Sequence, residues 1–197
     1  MYKDPLVWDR INSFALVTYI PEPLAGFLDR LRQELVPNCF LKAHATVLPP
    51  RPLSAPAESA WKVICKLARE FPPFDIQLGD IDVFPVSDVI HIQIAGGSDQ
   101  LKRMHAAMNV EALQFREEFP YHPHITLAQQ LKSDEVDELV HVARARWAEC
   151  ACPKFFRADK VVFVQSTKRK DWLDLGECEL GNGESKQVGE LTDLLVG

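Results

Sequence analysis

Two short runs carry the residue types that could do chemistry. They are His44-Ala45-Thr46, within "KAHATVL", and His124-Ile125-Thr126, within "YHPHITLAQ". Both sit in runs that read as β-strands, where side chains alternate between the two faces, so each histidine shares a face with its threonine. Ala43, Ala45 and Val47 point the other way in the first run, as do Ile125 and Leu127 in the second. Each strand therefore offers an imidazole beside a hydroxyl, backed by an apolar face. Opening a phosphodiester needs a base to take a proton from attacking water and an acid to protonate the departing sugar oxygen. Two opposed imidazoles with an unperturbed pKa of about 6.5 can fill both roles near neutral pH. The hydroxyls would donate to the non-bridging phosphoryl oxygens, where negative charge is held. His122 and His124 also share strand parity and imitate an H-x-H metal pair, but a zinc site needs a third and usually a fourth ligand, and no acidic or cysteine neighbour supplies one. The expectation is chemistry without a metal or other cofactor.

Further residues are candidates for holding a substrate. Lys42 lies on the polar face of the first triplet, and Arg51 closes the same segment. His91 shares a face with Gln93, opposite the isoleucines of "VIHIQIA", which makes it a candidate to line the same cleft. Tyr121 and Tyr19 are candidates to stack a base, and His122, before Pro123, is expected at the cleft mouth. Lys168-Arg169-Lys170 is a short basic cluster, read either as a phosphate contact or as a solvated hairpin turn.

The elements that must position these groups alternate along the chain. Strands are expected over 13–20, 40–48, 74–84, 88–96, 124–129, 160–167 and 172–180. Helices are expected over 22–35, 57–71, 98–115 and 133–149, with Ser98 and Ser133 as N-caps. Residues 11–95 run strand, helix, strand, helix, two strands; residues 98–180 run helix, strand, helix, two strands. This rough repetition, with one His-x-Thr strand in each half, predicts an α+β fold made by pseudo-twofold duplication. Two antiparallel sheets would face one another across a central cleft, with helices on the outside. Residues 1–180 are expected to form one bilobal domain, and 181–197 a linker-like tail.

Composition bounds the partners. The chain has 197 residues, is 47% hydrophobic and carries a formal net charge of -6. A protein tracking a long duplex usually shows a basic face, and this one does not. Its local positive charge suits a small nucleotide or an RNA-end phosphate. The five cysteines are scattered, which fits reduced, partly buried thiols and no disulfide framework. No apolar run approaches the roughly 20 residues of a membrane span, and "MYKDPLVWDR" lacks a signal-peptide pattern, so a soluble cytoplasmic protein is expected.

The paired triplets "HATVL" and "PHITLA", one in each half of an α+β chain of this size, resemble the 2H phosphoesterase superfamily. The branch they look like is that of the 2'-5' RNA ligase-like, or RNA 2',3'-cyclic phosphodiesterase, proteins. The resemblance covers about residues 11–180. It implies a bilobal fold, metal-independent cleavage of 2',3'-cyclic phosphates on an RNA end or nucleotide, and catalytic roles for His44, Thr46, His124 and Thr126. Three alternatives stay open: a non-catalytic nucleotide-binding module of the same fold, action on ADP-ribose cyclic phosphate, and 2'-5' RNA ligation. Many relatives carry an arginine just after the second motif, where this chain has Gln129. Lys42, Arg51 or the basic cluster at 168–170 are the expected substitutes for that cation.

Overall fold

A computed structural model of the chain describes residues 9–37 and 39–191. The element order is β1 (Arg10–Tyr19), α1 (Leu24–Leu35), β2 (His44–Arg51), α2 (Ala57–Ala68), β3 (Phe74–Phe84), β4 (Val89–Gly96), α3 (Ser98–Met108), β5 (His124–Ala128), α4 (Val136–Ala148), β6 (Phe155–Ala158), β7 (Lys160–Thr167), β8 (Trp172–Glu179) and β9 (Ser185–Gln187). Two sheets result, ordered β2-β1-β7-β8-β9 and β5-β4-β3-β6, and all their pairings are antiparallel.

This is the α+β, two-sheet architecture that the triplets demanded, with one difference in how the chain is shared out. The first sheet takes β1 and β2 from early in the chain and β7 to β9 from late in it, while the second uses β3 to β6 from the middle. The lobes are therefore not consecutive halves. The duplication lies in a smaller unit: β1-α1-β2 and β4-α3-β5 are each a strand, a helix and an antiparallel neighbour strand, and each ends on an edge strand bearing His-x-Thr. Those two edge strands, β2 and β5, pack against one another.

The helices hold them there. Leu24, Leu28, Leu31 and Leu35 are buried along one stripe of α1, and Leu101, Met104 and Met108 along α3, at the three-and-four spacing of an amphipathic helix. α1 packs on β5 and α4, whereas α3 packs on β2 and β4. Each crossover helix thus reaches the other lobe's edge strand. One hydrophobic cluster runs through both lobes, from Phe14 and Leu16 on β1 to Ile90 and Ile92 on β4.

Several local expectations change. Ser98 is the first residue of α3, and the cap position belongs to Gly97, at φ +85, where a Cβ would stand 2.6 Å from the Asp75 carbonyl oxygen. Ser133 lies before α4, and its hydroxyl donates to Asp88 in the β3–β4 turn at 2.9 Å. The expected helix to residue 115 stops at Met108, because Asn109 uses its side chain to accept from the Phe115 amide and donate to the Phe115 carbonyl, at 2.9 and 3.1 Å. Residues 40–43 stand outside the strand they were expected to open, and the strand runs on through Pro49 and Pro50 to Arg51. The linker-like segment after Gly181 contains β9, which pairs with β8. The part of the expected tail from 192 to 197 lies outside the described residues. Cys39, Cys65, Cys150, Cys152 and Cys178 are free thiols. Among the described residues, no helix is long and apolar enough to cross a membrane.

Candidate active site

Between the edge strands lies a cavity of about 550 Å³ whose lining includes His44, Thr46, His124 and Thr126 together. β2 supplies the first pair and β5 the second, on the faces opposite Ala45, Val47, Ile125 and Leu127, all at most 1% exposed. The core-facing residues of each strand thus force its imidazole and hydroxyl into the cleft.

The two histidines are held in the same way. The Nδ1 of His44 lies 2.7 Å from the carbonyl oxygen of Lys42, and the Nδ1 of His124 lies 2.7 Å from that of His122. A carbonyl oxygen only accepts, so each Nδ1 carries the proton and donates it, and each neutral ring keeps an unprotonated Nε2. Each imidazole also has an aromatic neighbour that lines the cavity. Trp172 tilts against His44 with centroids 4.7 Å apart, and Phe84 meets His124 edge-on at 4.9 Å. Burial pushes the His44 imidazole down to about 3, helped by the Arg32 charge, and burial pushes His124 down to about 4, with the neighbouring histidines adding to the effect. Both rings are therefore neutral at neutral pH.

Tyr121 and His122 also line the cavity. The Tyr121 hydroxyl donates to the Thr46 carbonyl oxygen at 2.6 Å, and its ring stacks on His105 at 3.9 Å, so it braces β2 from the loop before β5. His91 pairs with Thr126 across β4 and β5 but is 2% exposed, stacked on Phe84 at 3.9 Å and absent from the cavity lining. It supports the ring that orients His124.

The expected cations stand elsewhere. Arg51 is 2% exposed and donates to Pro49, Asn109, Leu113 and Glu117, so it organises the loop after α3, and it is absent from the cavity lining. Lys42 reaches Asp174 at 3.2 Å and lies over the Tyr19 ring, outside the cavity lining. In the basic cluster, Arg169 pairs with Asp9 at 2.8 Å at the β7–β8 turn, away from the cavity. Tyr19 donates to Asp174 at 2.6 Å and does not line the cavity either. Among the described residues, the lysine or arginine that does line it is Arg32 of α1, which in the sequence stands at the edge of the apolar stripe, four residues after Leu28, and carries no motif. Trp172 and Phe84 line it too, although in the sequence they read only as parts of strand patterns. Among the described residues, no group of three His, Cys, Asp or Glu side chains is arranged to hold a metal ion.

The α+β fold brings one His-x-Thr edge strand from each of its two antiparallel sheets to a shared cavity. The model of the 2'-5' RNA ligase superfamily matches residues 20–170, and the chain belongs to that superfamily. A Bacillus licheniformis protein provisionally named a phosphoesterase is 24% identical over 137 residues, covering 68% of this chain and 80% of its own. A similarly named Oceanobacillus iheyensis protein is 32% identical over 76 residues, which is 38% of this chain and 44% of that protein. Among solved structures, Escherichia coli LigT complexed with 3'-AMP superposes with a TM-score of 0.58 at 17% identity, over 87% of this chain and 98% of that one. The protein TT0787 of Thermus thermophilus gives 0.58 at 16% identity, over 87% and 100%. These two likenesses establish a shared fold.

Proposed function

We propose that the cleft hydrolyses 2',3'-cyclic phosphodiesters, on a nucleotide or an RNA end, by acid-base catalysis from His44 and His124. The observation that carries this reading is the matched pair of imidazoles on β2 and β5. Both line one cavity, and both have Nδ1 tied to a carbonyl two residues back, leaving Nε2 for proton transfer. One histidine takes a proton from water as the water oxygen bonds to phosphorus. The other, protonated at Nε2 once the phosphoryl anion beside it has raised its pKa, gives that proton to the 2' or 3' oxygen as its bond to phosphorus breaks, and a phosphomonoester results. The Thr46 and Thr126 hydroxyls donate to the non-bridging oxygens, which draw charge in the displacement. No metal enters these steps. LigT has been solved with 3'-AMP, ATP, NADP+ and phosphate, which supports a cleft that takes small phosphate-bearing nucleotides.

The test is turnover of a panel of 2',3'-cyclic nucleotides, ADP-ribose cyclic phosphate and a cyclic-ended oligoribonucleotide, all with EDTA present. Hydrolysis of cyclic ends supports the reading. Tight nucleotide binding with every cyclic phosphate left intact would instead make this a binding module. Activity that chelation removes and zinc or manganese restores would contradict the metal-free mechanism.

A further inference from the structure

Two buried arginines in this fold have opposite surroundings. Arg51 and Arg32 are 2% and 3% exposed. Burying a guanidinium is costly unless it is paired, and Arg51 is paired: the Glu117 carboxylate lies 2.5 Å away and three further oxygens accept from it. Arg32 has no such partner among the described residues. One terminal nitrogen donates to the Lys42 carbonyl oxygen at 3.2 Å and the other to the Cys39 sulfur at 3.4 Å, both neutral acceptors, while its Nε finds no partner at all. A guanidinium has five N–H donors, so most of its capacity is unspent.

Its position says what could complete it. Arg32 lines the cavity that holds both His-x-Thr pairs, and among the described residues in that lining it is the one lysine or arginine. It shares the Lys42 carbonyl with the Nδ1 of His44, so guanidinium and imidazole are fixed to one oxygen. Its charge is felt at the His44 ring. The carboxylates in the lining are Glu117, already engaged by Arg51, and Glu118. Gln129, also in the lining, brings no charge.

We propose that Arg32 is the anion anchor of the cleft, a substrate-contacting residue whose uncompensated guanidinium donates to a non-bridging oxygen of the bound phosphoryl group. The missing counter-ion is the ligand's own charge. α1 supplies it because the leucine stripe that packs the helix on the core sets Arg32, one residue after Leu31, on the edge of the buried face next to the loop that enters β2. The assignment rests on the phosphodiester reading for its substrate, but the anion site itself does not require turnover.

The experiment therefore uses inorganic phosphate as the probe, titrated calorimetrically into the wild-type chain and an Arg32→Gln variant, alongside KM and kcat for 2',3'-cyclic AMP. Losing a buried charge-assisted contact should weaken phosphate binding on the order of 10²-fold and raise KM by more than it lowers kcat, with the folded signal in circular dichroism retained. A folded variant that binds phosphate as the wild type does would overturn the assignment. Should Arg32→Gln fail to fold, the wild-type protein answers directly: the Arg32 Nε–H resonance should move as phosphate is added, and a resonance unmoved at saturation would sink the idea. Phosphate binding through Arg32 without cleavage of any cyclic nucleotide would leave the anchor standing and remove the hydrolase reading. Cleavage with an unchanged KM in the folded variant would do the reverse.

Discussion

At the scale of single residues, the two imidazoles are set to respond to what enters the cleft. Burial holds His44 at about 3 and His124 at about 4, well below the value of about 6.5 that both have in water, so the two rings are bases and neither is an imidazolium at neutral pH. A bound phosphoryl anion favours the protonated ring and raises these values. Protons are then taken up on binding, and affinity for a phosphodiester, whose charge is constant over this range, rises as the pH falls from neutral toward the values of the unbound rings. Calorimetry at pH 6.5 in two buffers of different ionisation enthalpy, with a non-hydrolysable phosphodiester that does not itself titrate near neutrality, should give different apparent heats, with the sign of net uptake; identical heats would show that neither imidazole gains a proton on binding. The same pair should set both limbs of a bell-shaped rate profile. His44→Ala or His124→Ala should each cost roughly 10²- to 10⁴-fold in rate, and the double variant little more, since groups acting as a unit are strongly non-additive. Thr46→Ala and Thr126→Ala should cost on the order of 10²-fold, because they remove one hydroxyl donor each and leave proton transfer in place. Near wild-type turnover by a folded His44→Ala variant would defeat the mechanism.

At the scale of elements, Arg51 shows how a charged residue near a motif can belong to the scaffold. It ties the end of β2 to Asn109, Leu113 and Glu117, the loop that leads from α3 to β5. Arg51→Met would leave Glu117 without its main partner, so the variant should lose about 3 kcal/mol of stability, read from urea unfolding, while KM at a permissive temperature stays within about twofold. A large rise in KM with unchanged stability would return Arg51 to the binding site. The same loop explains part of what the sequence left hidden. Asn109 ends α3 through side-chain bonds to Phe115, a contact that no helical periodicity predicts. β6 and β9, with four and three residues, are too short to show an alternation, and β9 is fully exposed. The long strands and helices were readable because their apolar faces are continuous, and the His-x-Thr pairs were readable because strand parity fixes a face without knowledge of neighbours. Arg32 was not, because a single basic residue on an amphipathic helix looks solvated until the tertiary fold buries it.

At the scale of the whole molecule, charge and cleft size bear on which phosphates can be substrates. The formal net charge is -6, and the lining of the cavity of about 550 Å³ contains Glu117 and Glu118 alongside Arg32. A surface that tracked a polynucleotide would neutralise several phosphates, and its affinity would fall steeply with salt, by a log-log slope of about -0.7 for each phosphate contacted on a single strand. A cleft that holds one phosphoryl group on one guanidinium has a slope of about -1 or shallower. Lengthening the substrate from a cyclic mononucleotide to a cyclic-ended decamer should then leave KM unchanged or raise it, since added phosphates meet an acidic molecule and gain no partner. Measuring KM for both substrates across a salt series separates the cases. Parallel shallow lines would mark the terminal phosphate and its nucleoside as the whole of what is recognised. A KM that drops tenfold or more with chain length, with a slope that steepens in proportion, would mean that RNA contacts extend well beyond the cavity and that the one-phosphate description of the site is wrong.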